Sequence, residues 1–364
     1  MALVLATSCT SAAPAPVTLP ASTATPCTDF EAPQDVADVN AVVAGFRNQP
    51  AALGGDVGAD VTLQDGRRLW VFGDTLRAGG AFVRNSLLLF DAGGHCASVV
   101  LPPGGGAVIP DRADGVGYWP MSIAVVHQDG IDRVGVMAQR VRSTGAQARF
   151  ENLGPAIAVF GVRPGELPVL ESVQDVGPDR AGRERPTWGA ASWITDDGWV
   201  YLYGTSHPDQ PLVFGWALHV ARVRVEDVLT PARWRYWDGT AWQADPARAA
   251  VLVPAVGGVS QTLSVIERDG RWYAISKRDE YLGRDLVVWE APGPTGPFTA
   301  QPPALSIPSD VDAHVYRYMP LAHPELPASP GHVVVSVSRG SDDPALLARR
   351  PELYRPLFVE VPLP

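Results

Sequence analysis

One local pattern recurs along the chain and limits what it can fold into: an alternating apolar run, an Asp-Gly turn, and a second alternating run. It appears in "ADVTLQDGRRLWVFGDT" at 59–75, turning at Asp65-Gly66, and in "YWPMSIAVVHQDGIDRVGVMAQRV" at 118–141, turning at Asp129-Gly130. "TWGAASWITDDGWVYLYGTS" at 187–206 and "VSQTLSVIERDGRWYAISKR" at 259–278 repeat it at Asp197-Gly198 and Asp269-Gly270. "YRYMPLAHPELPASPGHVVVSVSR" at 316–339 repeats it with a longer turn. Asp-Gly between alternating runs is the strongest short-range hairpin signal, because both residues tolerate the positive φ of tight turns. Hairpins recurring at this spacing are a repeat, and repeats on this scale indicate a propeller.

Further strand-like runs, "RNSLLLFD", "AIAVFGV", "WALHVARVRV" and "DLVVWEAP", lie between the hairpins and would complete four-stranded units. Only "VEDVLTPARW" and "DPALLARR" read as briefly helical. The expected fold class is therefore all-β, a five-bladed β-propeller occupying residues 27–364 as one domain. The rival is a pair of β-sandwiches joined near residues 172–186, but the hairpins keep recurring across that boundary. A 364-residue chain with 46% hydrophobic and 19% charged residues can bury a large core and is too apolar for disorder. Its 36 glycines and 35 prolines punctuate short runs instead of forming tracts, as many strands and turns require. The net charge of −10, with no basic stripe among the aromatics, argues against nucleic acid as a partner.

The first stretch, "MALVLATSCTSAAPAPVTLPASTATPC", has a short apolar core at Leu3 to Ala6, and Ala6-Thr7-Ser8-Cys9 resembles a lipoprotein processing site. A basic leader and a leucine three residues before the cysteine are both missing from that pattern. Residues 10–26 are rich in Ala, Ser, Thr and Pro and read as an extended tether. Residues 1–26 are thus expected to be an export signal and flexible tether. The expected location is secreted or cell-surface, with membrane attachment only through lipid on Cys9. Cys27 and Cys96 then remain as an even pair, either a disulfide or two buried thiols. No C-x-x-C, H-E-x-x-H or G-x-S-x-G occurs, and the glycines of "PPGGGAV" precede no helix. Neither metal nor cofactor is expected, and the chain is expected to be a monomer.

The chemistry concentrates at the open end of the first hairpin. If the loop is Gln64-Asp65-Gly66, Leu63 faces Arg67, and counting outward puts Asp56 opposite Asp74 with Cβ atoms roughly 4.5–5.5 Å apart. If the loop is Asp65-Gly66 alone, the two acids are diagonal neighbours. Two carboxylates this close cannot both ionise cheaply, so one becomes an acid beside a base or nucleophile, as glycosidic cleavage requires. Asp60 shares the strand face of Asp56 and is the reserve candidate. The competing interpretation is that both aspartates cap local backbone amides.

"LWVFGDT", "VRNSLLLF", "WGAASW" with "VYLYGTS", "ARWRYWDGTAW", "AHPEL" and "YRPLFVEVPLP" together resemble the family named domain of unknown function 4185. Part of that family is glycoside hydrolase family 183, the endo-D-arabinanases, and the similarity runs from about Asp56 to Pro364. The resemblance implies a five-bladed propeller hydrolysing α-D-arabinofuranosyl linkages of mycobacterial-type arabinogalactan and lipoarabinomannan. It also implies a catalytic pair at Asp56 and Asp74. Met121-Ser122 departs from the pattern, standing where a polar or acidic residue is expected after "YWP".

Position supplies the remaining candidates for binding a sugar. Arg84 and Asn85 follow the pair in the first unit, and Trp119, Trp188, Gln261 and Tyr316 or Tyr318 begin the other inner strands. His314 could reach the channel axis, although a lone histidine is more often a satisfied structural one. Aromatic rings with a few polar contacts make a carbohydrate groove, although each tryptophan could equally pack between blades. The alternative function is a non-catalytic carbohydrate- or protein-binding propeller lipoprotein. A blade-to-blade salt bridge at either aspartate would favour that alternative.

Overall fold

The computed structural model describes residues 22–145 and 150–364. The apolar N-terminal core, Cys9 and the tether up to residue 21 lie outside the described residues. The chain is all-β, and its strands form five successive sheets of seven, four, five, five and three strands in a β-propeller arrangement. Each sheet has one of the repeated hairpins at one end, and the ten hairpin strands are numbered in chain order. They are β1 (Gly54–Thr62) with β2 (Arg68–Leu76), β3 (Gly117–Gln128) with β4 (Ile131–Ser143), and β5 (Thr187–Ile194) with β6 (Trp199–Ser206). The others are β7 (Ser264–Arg268) with β8 (Arg271–Lys277), and β9 (Tyr316–His323) with β10 (His332–Gly340).

The first strand of each hairpin lies innermost. Strand β1 touches β3, β3 touches β5, β5 touches β7, β7 touches β9, and β9 returns to β1. Apolar residues at alternate positions point between neighbouring sheets, and the core is accordingly split into clusters. One joins the first two sheets through Leu69, Val71, Val134 and Val136; another joins the third and fourth through Tyr203, Leu218, Val265 and Trp289. The expectation of four strands per unit fails at the last sheet, which ends with β9, β10 and Leu357–Pro362.

The same Asp-Gly signal produces two turn geometries. Asp129-Gly130 and Asp269-Gly270 have positive φ at both residues, as a two-residue mirror-image turn requires. At Asp65-Gly66 only the glycine does (φ 82°), and Leu63 pairs with Arg67 around a three-residue loop, its N–H donating to the Arg67 carbonyl at 2.8 Å. That selects the register in which Asp56 is counted opposite Asp74.

Sequence reasoning missed a helix, α1 (Val36–Gly45). Asp35 caps it by accepting from the Ala37 and Asp38 amides, and Val39, Val42 and Val43 at helical spacing bury one face. That face and Phe46 pack with Trp70, Phe72, Val334 and Phe358 between the first and fifth sheets. Asn40 completes the seam: its side chain donates to the Phe358 carbonyl and accepts from the Phe358 amide, both at 2.9 Å. The helix thus covers the outer strand of the last sheet, an edge that would otherwise be unpaired. "DPALLARR" does form a short helix, Pro344–Arg349, while "VEDVLTPARW" gives only two short 3-10 turns, Val225–Asp227 and Pro231–Arg233.

Thr23–Ala24 and Thr28–Asp29 pair with the outer strand Cys96–Leu101 of the first sheet, so the final residues of the expected tether are strand. Cys27 and Cys96 form a disulfide there, and their sulfurs are therefore not free thiols. Among the described residues, no helix is long and apolar enough to cross a membrane.

Candidate active site

The ladder between β1 and β2 is regular from Thr62–Arg68 to Ala59–Val71, then breaks twice. Gly58 is bulged out (φ 74°), so Val57 pairs with Phe72, one residue out of step; at Gly55–Thr75 the step is restored. Asp56 lies in the second break, across from Gly73-Asp74. Val57 carries a φ of 65°, uncommon for a β-branched residue, and its N–H donates to Ser338 Oγ on β10 at 3.0 Å. A strained backbone beside an acid, held by a neighbouring sheet, fits a site where geometry is over-determined. Gly73 is needed here because a Cβ on it would collide with Oδ1 of Asp56.

Each carboxylate has its own donors from other sheets. Tyr318 on β9 donates its hydroxyl to Oδ2 of Asp56 at 3.0 Å, and the hydroxyl of Tyr354 bonds the same carboxylate. Trp119 on β3 donates its indole N–H to Oδ1 of Asp74 at 2.9 Å. Both acids are half-buried, Asp56 near the start of β1 and Asp74 near the end of β2. Desolvation pushes Asp56 up to about 6, against the opposing hydrogen bonds from the two tyrosines. Desolvation and then the charge of Asp56 push Asp74 up to about 7, while Trp119 and the Arg84 guanidinium act the other way. The tyrosines that bond Asp56 have their phenols raised well above the ordinary value by burial and by that charge. Among the described residues, neither Asp56 nor Asp74 forms an ion pair within 4.0 Å. The salt bridge that would have favoured a purely structural role is therefore not there.

Of the residues expected from sequence, Asp56, Asp74, Arg84, Trp119 and Tyr318 come together. Arg84 is ion-paired with Asp111 at the rim. Asn85 does not join them: it is fully buried, donating to the carbonyls of Ile109 and Tyr118 and accepting from the Ile109 amide, a bracket between chain segments. Trp188 is core, packed on Tyr236 at 5.0 Å with Val200 and Leu202 around it. Gln261 donates its side chain to Gln139 and its amide to buried Glu280 at 2.5 Å. Burial raises Glu280 to about 7 and lowers nearby Lys277, the only lysine, to about 8. Tyr316 and His314 both bond exposed Asp342 at 2.9 Å.

The reserve candidate Asp60 lies further along β1 and is occupied, bonding His323 Nδ1 at 2.6 Å and pairing with Arg68 at 3.2 Å. His323 is fully buried and also bonds Ser336, so this relay is a brace between the first and fifth sheets. Tyr354, Ser338 and Gly73 were missed. All three lay in stretches quoted from the sequence, Gly73 in "LWVFGDT", Ser338 in "GHVVVSVSR" and Tyr354 in "YRPLF", but none was singled out as a residue of the site.

Fold and site together define an all-β protein of propeller arrangement with two facing carboxyls at the open end of its first hairpin. The chain belongs to the family described as domain of unknown function (DUF5005), whose model matches residues 45–362. This match corrects the resemblance to domain of unknown function 4185 and glycoside hydrolase family 183. The stretches behind that resemblance include architectural residues: Arg355 of "YRP" donates to the Leu53 and Ala44 carbonyls, tying the last sheet to the first.

No curated protein matches the sequence. Among solved structures, the chain is similar to a candidate hydrolase from Bacteroides ovatus, at 20% identity and a TM-score of 0.67 over 89% of each chain. That likeness shows a shared fold. Two other likenesses are fainter. One is to a GH43_1 enzyme from Xanthomonas citri, 16% identical with a TM-score of 0.48, covering 86% of this chain and 89% of that one. The other is to CoXyl43, a GH43 β-xylosidase/α-arabinofuranosidase from a compost microbial metagenome, 14% identical with a TM-score of 0.49 over 85% and 92%.

Proposed function

We propose that this chain is a glycoside hydrolase in which Asp74 is the general acid and Asp56 the base or nucleophile. The observation that carries this is the facing pair itself, with both carboxyls raised and each held by separate donors. Asp56 is the better anion because two tyrosine hydroxyls bond it, and its charge in turn keeps a proton on Asp74. In the reaction, Asp74 gives its proton to the glycosidic oxygen as the C–O bond breaks. Asp56 either takes a proton from the attacking water or attacks the anomeric carbon. The Bacteroides ovatus relative is a candidate hydrolase, which agrees with this reading by analogy of fold.

We take the three-stranded β9–β10 sheet as a fifth blade, since its inner strand touches the first strands of both neighbours. The chain supplies both acids itself, so a monomer suffices. The Cys27–Cys96 disulfide supports work outside the reducing cytosol, in line with export and a lipid at Cys9. Endo-D-arabinanase activity on arabinogalactan rested on the corrected resemblance, and the acid pair by itself does not select a furanose over a pyranose.

The test is to incubate purified protein with arabinogalactan, arabinan and arabinoxylan and to look for released oligosaccharides. Wild type should release them from at least one, and Asp74→Asn should be slower by about a thousandfold. Equal release by the variant would remove Asp74 from the mechanism. No release by wild type would favour the binding lipoprotein.

A further inference from the structure

An open groove of about 1300 Å³ runs between the first and second sheets, and Asp74 lines its inner end. Such a space exceeds the range of pockets that hold single small molecules. Two phenylalanines on its walls are conspicuously exposed for their type, Phe82 at 40% and Phe150 at 41%. Both stand at fixed angles because each is braced by an aromatic ring of the acid site. Phe82 meets Tyr354 edge-on at 5.6 Å, and Phe150 meets Trp119 edge-on at 4.7 Å. Tyr354 bonds Asp56 and Trp119 bonds Asp74, so each exposed ring is one residue removed from one member of the pair.

We infer that Phe82 and Phe150 are stacking platforms for a chain of uncharged sugars, holding it across the acid pair. This rests on the glycoside hydrolase reading for what the chain is, though not for whether it binds. Sugar rings present apolar C–H faces that an exposed aromatic ring can cover, and their hydroxyls suit the polar rim of Arg84, Asp111 and Glu166. Charge decides against an acidic polymer. With Asp74 holding its proton, the charged groups on the groove walls are Asp111 and Glu166 against Arg84, two acids to one base. A polyuronate would meet that excess of carboxylates.

The experiment is affinity electrophoresis of the full chain through gels containing arabinogalactan, arabinan, arabinoxylan or polygalacturonate. Phe82→Ala, Phe150→Ala, Phe82→Trp and Phe150→Trp are run beside wild type, and hydrolysis is measured in parallel. Wild type should be retarded by a neutral polysaccharide and not by polygalacturonate. Each alanine variant should lose affinity about tenfold, and the tryptophan variants should retain it. Wild-type retardation by polygalacturonate alone, no retardation at all, or alanine variants that bind like wild type would overturn the inference. Ring-dependent binding without hydrolysis would leave the inference standing and remove the catalytic reading. Hydrolysis unaffected by loss of either ring would do the reverse.

Discussion

The indole N–H of Trp119 reaches Oδ1 of Asp74 at 2.9 Å, across the boundary between the first and second sheets. This bond lowers the acid's affinity for its proton, against the burial and the Asp56 charge that raise it. Trp119→Phe removes the donor while keeping a ring in place. Asp74 should then hold its proton to higher pH, moving the basic limb of the kcat/KM profile upward while kcat falls several-fold. An unmoved basic limb would mean that Trp119 serves packing alone.

Tyr318 plays the corresponding part for Asp56. Tyr318→Phe deletes a hydrogen bond to the ionised carboxylate, so the pKa of Asp56 should rise from about 6. The acidic limb, which reports the base becoming ionised, should move upward and leave the basic limb in place. The same kcat/KM profile distinguishes the two variants by which limb moves.

Gly73→Ala puts a methyl group where Oδ1 of Asp56 now lies. Gly73 does not have a positive φ, so the backbone can accept alanine, and it is the carboxylate that must swing away. Activity should fall by about a hundredfold or more while the unfolding midpoint shifts little. A variant with full activity would show that the Asp56 position in the second ladder break is not needed.

The acid pair should also show in stability. Folded Asp56 and Asp74 have pKa values raised above the ordinary 3.8, so the folded state binds more protons than the unfolded one. Their contribution is fully present below about pH 4 and is lost as pH rises through about 6 and about 7. Asp74→Asn removes that loss. Measured by denaturant unfolding, the variant should gain about 1–2 kcal/mol on wild type between pH 4 and pH 8, the figure being reduced because the group is partly exposed to solvent.

Breaking the disulfide tests the outer seam of the first sheet. Cys27 and Cys96 are 69 residues apart in sequence, and Cys96→Ser frees that loop in the unfolded chain. Stability should fall by about 2–4 kcal/mol in chemical denaturation. A midpoint equal to that of wild type would show that the outer pairing alone holds the segment.

What could be read from sequence was what local chemistry decides. Asp65-Gly66 fixed the turn, and counting from it reached Asp56 and Asp74 correctly only because the slip at Gly58 is undone by Gly55–Thr75. Neither irregularity has a signature beyond the glycines. Asn85 and Trp188 were misplaced because starting a strand near the entrance does not say which way a side chain points; both point into the core. Tyr354 and Ser338 come from the far end of the chain, and only ring closure brings them to Asp56 and Val57. Helix α1 was missed because its valines favour strands, though their spacing and the Asp35 cap are helical.

The pH dependence of kcat/KM for wild type on whichever polysaccharide it cleaves tests the central claim most directly. A carboxylate base at Asp56 and a carboxylic acid at Asp74 give a bell with flanks near pH 6 and pH 7. Asp74→Asn should abolish the bell along with the activity. A rate that stays flat from pH 5 to pH 8, or a bell retained at full height in Asp74→Asn, would contradict it.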